Sequence, residues 1–322
     1  MIRASILGSG SWGTALAIHL ARSGTQVSLW GRDPAEIESL RENRENVLYL
    51  PDFDLPPEIE PVEVLPAEAD FWIIAVPSEA LREVCQKLPS DCVVVIATKG
   101  LEQETSLRMS QVLAAERPGA RIAVLSGPNL AVELAGGIPT ATVIASDNDE
   151  LAERVREQFM AKSLRVYTSS DVVGVELGGA LKNVMAIAAG MSDGLGFGNN
   201  TKGALLARGL HEMASLGSVL GARAKTFMGL SGVGDLFATA ASVLSRNYRI
   251  GRALGAGEQL DDALHELGQV AEGVPTTHAA VALADRLCVD VPLMQAVAAV
   301  LEGESKPLDA VSGLMQRTPR SE

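Results

Sequence analysis

The chain has 322 residues, 47% of them apolar and only 4% aromatic, and a formal net charge of −13. That length suits two domains, each large enough to bury its own core. The acidic balance counts against nucleic acid or an anionic membrane as partner, and no continuous apolar run approaches the ~18 residues that span a bilayer.

Cys85, Cys92 and Cys288 are scattered with no C-x-x-C spacing, and the chain starts without a secretory leader's charged and apolar regions. A reducing cytoplasm is therefore the expected compartment, without membrane insertion. His19, His211, His265 and His278 lack metal-ligand spacing, so no metal is expected. His19 and His278 fall within helix patterns and are expected to be structural.

A short apolar strand pattern over 4–7 runs into Gly8-Ser9-Gly10-Ser11-Trp12-Gly13 and then a helix pattern over 14–23. Glycines at such a junction let backbone amides at a helix N-terminus approach a pyrophosphate. Gly8 suits the tight turn, Gly10 leaves space for phosphates, and Gly13 lets the helix pack on the strand. A ligand-free glycine-rich turn gives the same match, but the strand pattern over 26–31 completes a βαβ-like unit of the expected length. That second strand ends on Gly31-Arg32-Asp33-Pro34. A guanidinium there suits a ribose 2′-phosphate, whereas a carboxylate would accept from a free 2′-hydroxyl. NADP(H) is thus the expected cofactor, with NAD(H) also accepted; the alternative is a solvated strand-end Arg32 beside a helix start.

Further strand patterns follow at 70–76, 92–98, 121–126, 141–145 and 164–167, with helix patterns at 34–43, 79–87, 107–115 and 149–162 between them. Short apolar strands alternating with helices predict a parallel, doubly wound sheet. The five prolines between Pro51 and Pro66 predict an irregular surface excursion. After about Thr168 strand signals stop. Residues 171–191 form one long helix pattern, apolar on most faces and so buried. Its Gly178 and Gly179 mark either close approach by a ligand or backbone, or helix–helix packing. More helix patterns occupy 201–220, 235–244, 249–254, 260–267, 275–286, 292–301 and 307–316. The expected architecture is α/β: a Rossmann-type doubly wound sheet domain over 1–168, then an all-helical C-terminal domain over 169–322. Cofactor and substrate are expected where the two join.

If the substrate is a phosphate, an acidic protein must gather its cations locally. Lys99 sits at the carboxyl end of the buried strand pattern 92–98, where ligands bind open parallel sheets, unless it merely points to solvent. Ser126-Gly127-Pro128-Asn129 offers backbone amides after another strand. Lys182 lies in the apolar helix beside Leu181, Val184 and Met185; unless it snorkels, burial lowers its pKa and suits it to proton transfer. Asp235 follows Gly232-Val233-Gly234 and opens a helix, where a cap or helix charge is equally in order. Ser245-Arg246-Asn247-Tyr248 can surround a phosphate or form a solvated turn. Lys202 adds a cation after Asn199-Asn200-Thr201, with Asn200 a candidate helix cap.

Taken in order, these segments resemble bacterial NAD(P)-dependent glycerol-3-phosphate dehydrogenase over nearly the whole chain. The carriers are Gly8-Ser9-Gly10-Ser11-Trp12-Gly13-Thr14-Ala15-Leu16-Ala17, Thr98-Lys99-Gly100, Ser126-Gly127-Pro128, Leu181-Lys182-Asn183, Gly198-Asn199-Asn200-Thr201-Lys202, Gly232-Val233-Gly234-Asp235-Leu236, Ser245-Arg246-Asn247-Tyr248 and Glu272-Gly273-Val274-Pro275-Thr276. The resemblance implies Lys182 as catalytic acid/base. It implies a cofactor site of Ser11, Trp12, Arg32, Lys99, Ala131, Arg246, Val270 and Glu272. It also implies a substrate site of Lys99, Gly127, Asn129, Lys182, Asp235, Ser245, Arg246 and Asn247. Many relatives carry Ser-Phe where this chain has Asn129-Leu130, which puts that contact in question. The implied reaction is reversible hydride transfer between NAD(P)H and dihydroxyacetone phosphate, giving sn-glycerol 3-phosphate for phospholipid synthesis. Two rivals stand beside it: a β-hydroxyacid dehydrogenase acting on a carboxylate, and a dinucleotide sensor without turnover. The residues leave the oligomeric state open, a homodimer included.

Overall fold

The computed structural model describes residues 2–318. The chain divides into two compact units: one holds the chain through Lys99 together with Leu107–Glu176, the other Gly100–Ser106 and the chain from Leu177 onward.

The first unit alternates strands and helices: β1 (Arg3–Leu7), α1 (Ser11–Arg22), β2 (Gln26–Trp30), α2 (Pro34–Asn43), β3 (Glu45–Asn46), β4 (Leu50–Asp54), β5 (Ile59–Val62), β6 (Phe71–Ile74), α3 (Ser78–Cys85), β7 (Val93–Ile96), α4 (Met109–Glu116), β8 (Arg121–Ser126), α5 (Ala131–Ala135), β9 (Thr140–Ala145), α6 (Asp149–Phe159) and β10 (Leu164–Ser169). Eight strands form one sheet in the order β10-β9-β8-β7-β6-β1-β2-β5. Each residue of β6 and β7 is buried, as continuous Val/Ile-rich runs require when helices cover both faces. The strand order reverses about β1, so the glycine turn follows a strand at the topological switch point.

Two expectations need correction. The sheet is parallel except that β8 pairs antiparallel with β9. The connection over 127–139 carries only the five-residue α5, and about 7 Å of helix does not run back along six-residue strands of about 20 Å. The proline-rich stretch 51–66 is also not irregular throughout: β4 pairs antiparallel with β3, and β5 extends the main sheet beside β2. Pro61 is tolerated in β5 because that strand is the sheet edge.

The second unit is helical: α7 (Val172–Gly194, beginning within the first unit), α8 (Asn199–Val219), α9 (Ala224–Phe227), a π-helical turn (Leu230–Gly234), α10 (Asp235–Ala240), α11 (Arg246–Gly255), α12 (Leu260–Leu267), α13 (Gly273–Arg286), α14 (Pro292–Leu301) and α15 (Pro307–Met315). In α7, glycines mark backbone approach. A Cβ on Gly178 would lie 2.4 Å from the Ser231 carbonyl oxygen, one on Gly190 2.1 Å from that of Tyr248, and one on Gly194 2.3 Å from that of Arg252. Gly251 and Gly255 of α11 reciprocate against Ile187 and Met191. At Gly178 it is backbone, that of the π-helical turn, that comes close.

The expectation about apolar runs also needs correction. Among the described residues α7 alone is long and apolar enough to cross a membrane. Glu176 and Lys182 interrupt its apolar run without making the helix as a whole polar. Nearly all of its most apolar stretch is buried inside the protein. Asn200 is not a cap: Gly198 precedes α8, and both asparagines lie in its first turn.

Candidate active site

In the first unit the predicted residues gather at the carboxyl ends of neighbouring strands. Gly8 has φ +119°, and a Cβ there would lie 2.6 Å from the Ala75 carbonyl oxygen, so the turn admits only glycine. Gly13 packs against Gly8 so tightly that a Cβ would fall 1.9 Å from its carbonyl oxygen. Gly10 is different: a Cβ there would meet nothing within 4 Å. The fold makes no steric demand for glycine at this position, which stands just before α1, whose first residues are Ser11, Trp12 and Gly13. The first amides of a helix have no partner within it and favour an anion. The buried indole N–H of Trp12 also has no hydrogen-bond partner. Open space at Gly10, unspent amides and an orphaned donor fit a dinucleotide pyrophosphate.

Arg32 is exposed just beyond β2. Two carboxylates follow it closely in the chain, and both are engaged. Asp33 caps α2 by accepting from the Ala35 amide at 2.9 Å, and Glu36 accepts from the Tyr49 hydroxyl at 3.0 Å. Burial and Glu36 raise the pKa of that hydroxyl, against an opposing pull from Arg32. Beyond β7, Lys99 donates to the Gly127 carbonyl at 3.0 Å. Gly127 lies against the backbone of Thr142, 2.9 Å from where its Cβ would be. Asn129 donates through Nδ2 to the Ala141 carbonyl at 3.0 Å and the Thr140 hydroxyl at 3.2 Å, while its buried Oδ1 has no partner. Ala131, half-buried, begins α5.

In the second unit Lys182 is buried, 7% exposed, on α7. Its ammonium lies 3.0 Å from Asp235 Oδ1 and donates to the Thr239 hydroxyl at 2.6 Å. That hydroxyl donates onward to Asp235 at 3.2 Å. Asp235 does open α10, and its carboxylate serves the ammonium and Thr239. A buried cation is tolerable only with such pairing, since an isolated one costs several kcal/mol. The snorkelling alternative for Lys182 falls with this geometry.

Beside Lys182, Asn183 Oδ1 accepts from Asn247 Nδ2 at 2.9 Å, and Asn247 Oδ1 accepts from the Gly273 amide at 2.9 Å. Three helices are thus joined at one point. Ser245 caps α11, accepting from the Tyr248 amide at 3.2 Å. Arg246, half-buried, opens that helix; burial draws its pKa down, opposed by the charge of Glu272. Glu272 stands at the start of α13, and Val270 is 43% exposed just before it. Lys202, from the Asn199-Asn200-Thr201 segment, pairs instead with Asp193. Tyr248 also donates to Asp193, at 2.5 Å.

Sequence reasoning missed Thr239 and the strut role of Asn183. Thr239 stands four residues after Asp235, so a helix places the two on one face. That spacing was the available signal. Asn183 sits beside Lys182 as a second polar residue in an apolar helix, yet its partner is 64 positions away. Among the described residues no three His, Cys, Asp or Glu gather to hold a metal.

Residues 3–152 match the family model described as the N-terminus of NAD-dependent glycerol-3-phosphate dehydrogenase, and residues 171–312 match the model of its C-terminus. A relative from Thioalkalivibrio sulfidiphilus, named glycerol-3-phosphate dehydrogenase (NAD(P)+), is 50% identical over 99% of this chain and 98% of its own length. One of the same name from Pelotomaculum thermopropionicum is 47% identical over 98% of this chain and 93% of its own. The crystal structure of glycerol-3-phosphate dehydrogenase from Coxiella burnetii superposes with a TM-score of 0.95 at 38% identity, covering 98% of this chain and 99% of the other. Glycine turn, paired buried lysine and these matches agree: the chain belongs to the NAD-dependent glycerol-3-phosphate dehydrogenase family.

Proposed function

We propose that this protein reduces dihydroxyacetone phosphate reversibly to sn-glycerol 3-phosphate with NAD(P)H, in the cytoplasm and without membrane insertion, supplying glycerophospholipid synthesis. Residues 1–168 would serve as the dinucleotide-binding domain and 169–322 as the substrate-binding and catalytic domain, while the compact units themselves change over between Glu176 and Leu177 and assign Gly100–Ser106 to the second. The observation carrying the reading is the buried Lys182 ammonium, fixed at 3.0 Å by Asp235 and at 2.6 Å by Thr239. An amine held so firmly in an apolar helix is suited to one task, handling a proton at a developing alkoxide.

Gly8, Gly10, Ser11, Trp12 and Gly13 would hold the pyrophosphate, and Arg32 the 2′-phosphate. Lys99, Ala131, Arg246, Val270 and Glu272 would complete the cofactor's contacts. When bound, the nicotinamide supplies or accepts the hydride. Lys182 gives its proton to the substrate oxygen as charge develops there, while Asp235 and Thr239 keep the ammonium aimed and charge-balanced. Arg246, with the backbone amide of Asn247 and Ser245 at the start of α11, grips the phosphate, converting remote binding energy into alignment. Lys99, Gly127 and Asn129 bind the rest of the three-carbon chain.

A substrate panel tests the reading. With NADP+, glycerol 3-phosphate gives reduced nicotinamide, whereas 3-hydroxy acids give none. Turnover of the acids alone would assign the protein to the carboxylate-using class, and cofactor binding without turnover of any phosphate would make it a sensor.

A further inference from the structure

We propose that Asn46, in the two-residue strand β3, is a positioning residue that aims the glycine turn at the cofactor pyrophosphate. The inference rests on the dinucleotide reading above. Asn46 is 4% exposed and its amide is fully used. Nδ2 donates to the Ser9 carbonyl and to the Thr14 hydroxyl, each at 2.7 Å, and Oδ1 accepts from the Tyr49 amide at 3.1 Å. The Thr14 hydroxyl donates in turn to the same Ser9 carbonyl at 3.2 Å. A second link joins the same segments, from the Ser11 hydroxyl to the Tyr49 carbonyl at 2.6 Å.

Peptide geometry then orients the next amide. In a trans peptide the C=O and the following N–H point in opposite directions. Drawing the Ser9 carbonyl toward Asn46 therefore turns the Gly10 N–H away from it. Gly10 is the one glycine of the turn with open space beside its Cα, so a phosphate can approach the stretch of backbone that carries this amide. The chemistry selects an amide. An aspartate of the same size would place acceptors against the Ser9 carbonyl and the Thr14 hydroxyl, and when ionised it could donate to neither.

Calorimetric competition distinguishes ligands with a pyrophosphate (NADPH, ADP) from adenosine 2′-monophosphate, which has none. Asn46→Asp is expected to raise the Kd of NADPH and ADP about ten-fold, the scale of one lost buried hydrogen bond. The Kd of adenosine 2′-monophosphate stays within about two-fold on the same scale. Should Asn46→Asp fail to fold, Thr14→Val is expected to weaken the same two ligands selectively and Thr14→Ser to restore them. Equal weakening of all three ligands would reduce Asn46 to a structural residue and overturn the proposal, as would unchanged NADPH and ADP affinities. Failure of the wild-type protein to bind NADPH would overturn the dinucleotide reading itself.

Discussion

Asn247 shows how a side chain can be spoken for before any ligand arrives. Its amide donates to Asn183 and its side-chain oxygen accepts from Gly273, so its proposed service to the substrate phosphate falls to its backbone N–H at the head of α11. Arg32 is the opposite case, exposed while the acids that follow it serve α2 and Tyr49. Its guanidinium is the group expected to distinguish the two dinucleotides. Arg32→Ala should reduce the preference for NADPH over NADH by about ten-fold, the worth of one charged hydrogen bond, as read from the two Kd values. Equal relative affinities before and after would assign that selection to another residue.

Among the elements, α7 and α11 cross with backbone against backbone, and small residues alone permit it. Gly190→Ala would drive a methyl group to 2.1 Å from the Tyr248 carbonyl oxygen of α11. Overpacking of this kind costs about 1–3 kcal/mol or more, visible as a lowered denaturation midpoint at unchanged m-value. Elsewhere Glu212 of α8 accepts from the Leu293 and Met294 amides at the head of α14. Burial raises its pKa to about 7 against the pull of those amides. A carboxyl raised in the folded state binds its proton there while the unfolded chain has released it, so stability falls as pH rises from about 4.5 to 7. The full effect is on the order of 3 kcal/mol. Glu212→Gln should flatten that slope in denaturation profiles taken across this range; an unchanged slope would place its origin elsewhere.

At the scale of the whole molecule, a net charge of −13 leaves the cations outnumbered, and Lys99, Lys182 and Arg246 stand in the proposed sites. The alternation of strands and helices was legible because buried parallel strands read as unbroken apolar runs. The reversal at β9 was not, since a buried strand looks the same in either direction and only the brevity of α5 hints at it. β5 escaped notice because Pro61 is a breaker everywhere but at an edge. In the proposed site, Lys182 stood out as a charge in an apolar helix, whereas Asp235, Arg246 and Asn247 fitted a cap or a solvated turn equally and were singled out by the family resemblance. Thr239 offered a signal only in its spacing from Asp235, its bond to Lys182 being 57 positions away, and Asn46 offered none, because Ser9 and Thr14 lie 37 and 32 positions from it.

Whether the Lys182 ammonium carries the proton of the reaction is tested most directly by Lys182→Met, which keeps the bulk of the stem. The variant is assayed at saturating dihydroxyacetone phosphate and NADPH, beside a cofactor titration on the same preparation. The expected result is turnover lowered by about 10²-fold or more with the NADPH Kd unchanged. Wild-type turnover in a variant that still binds NADPH normally would contradict the assignment.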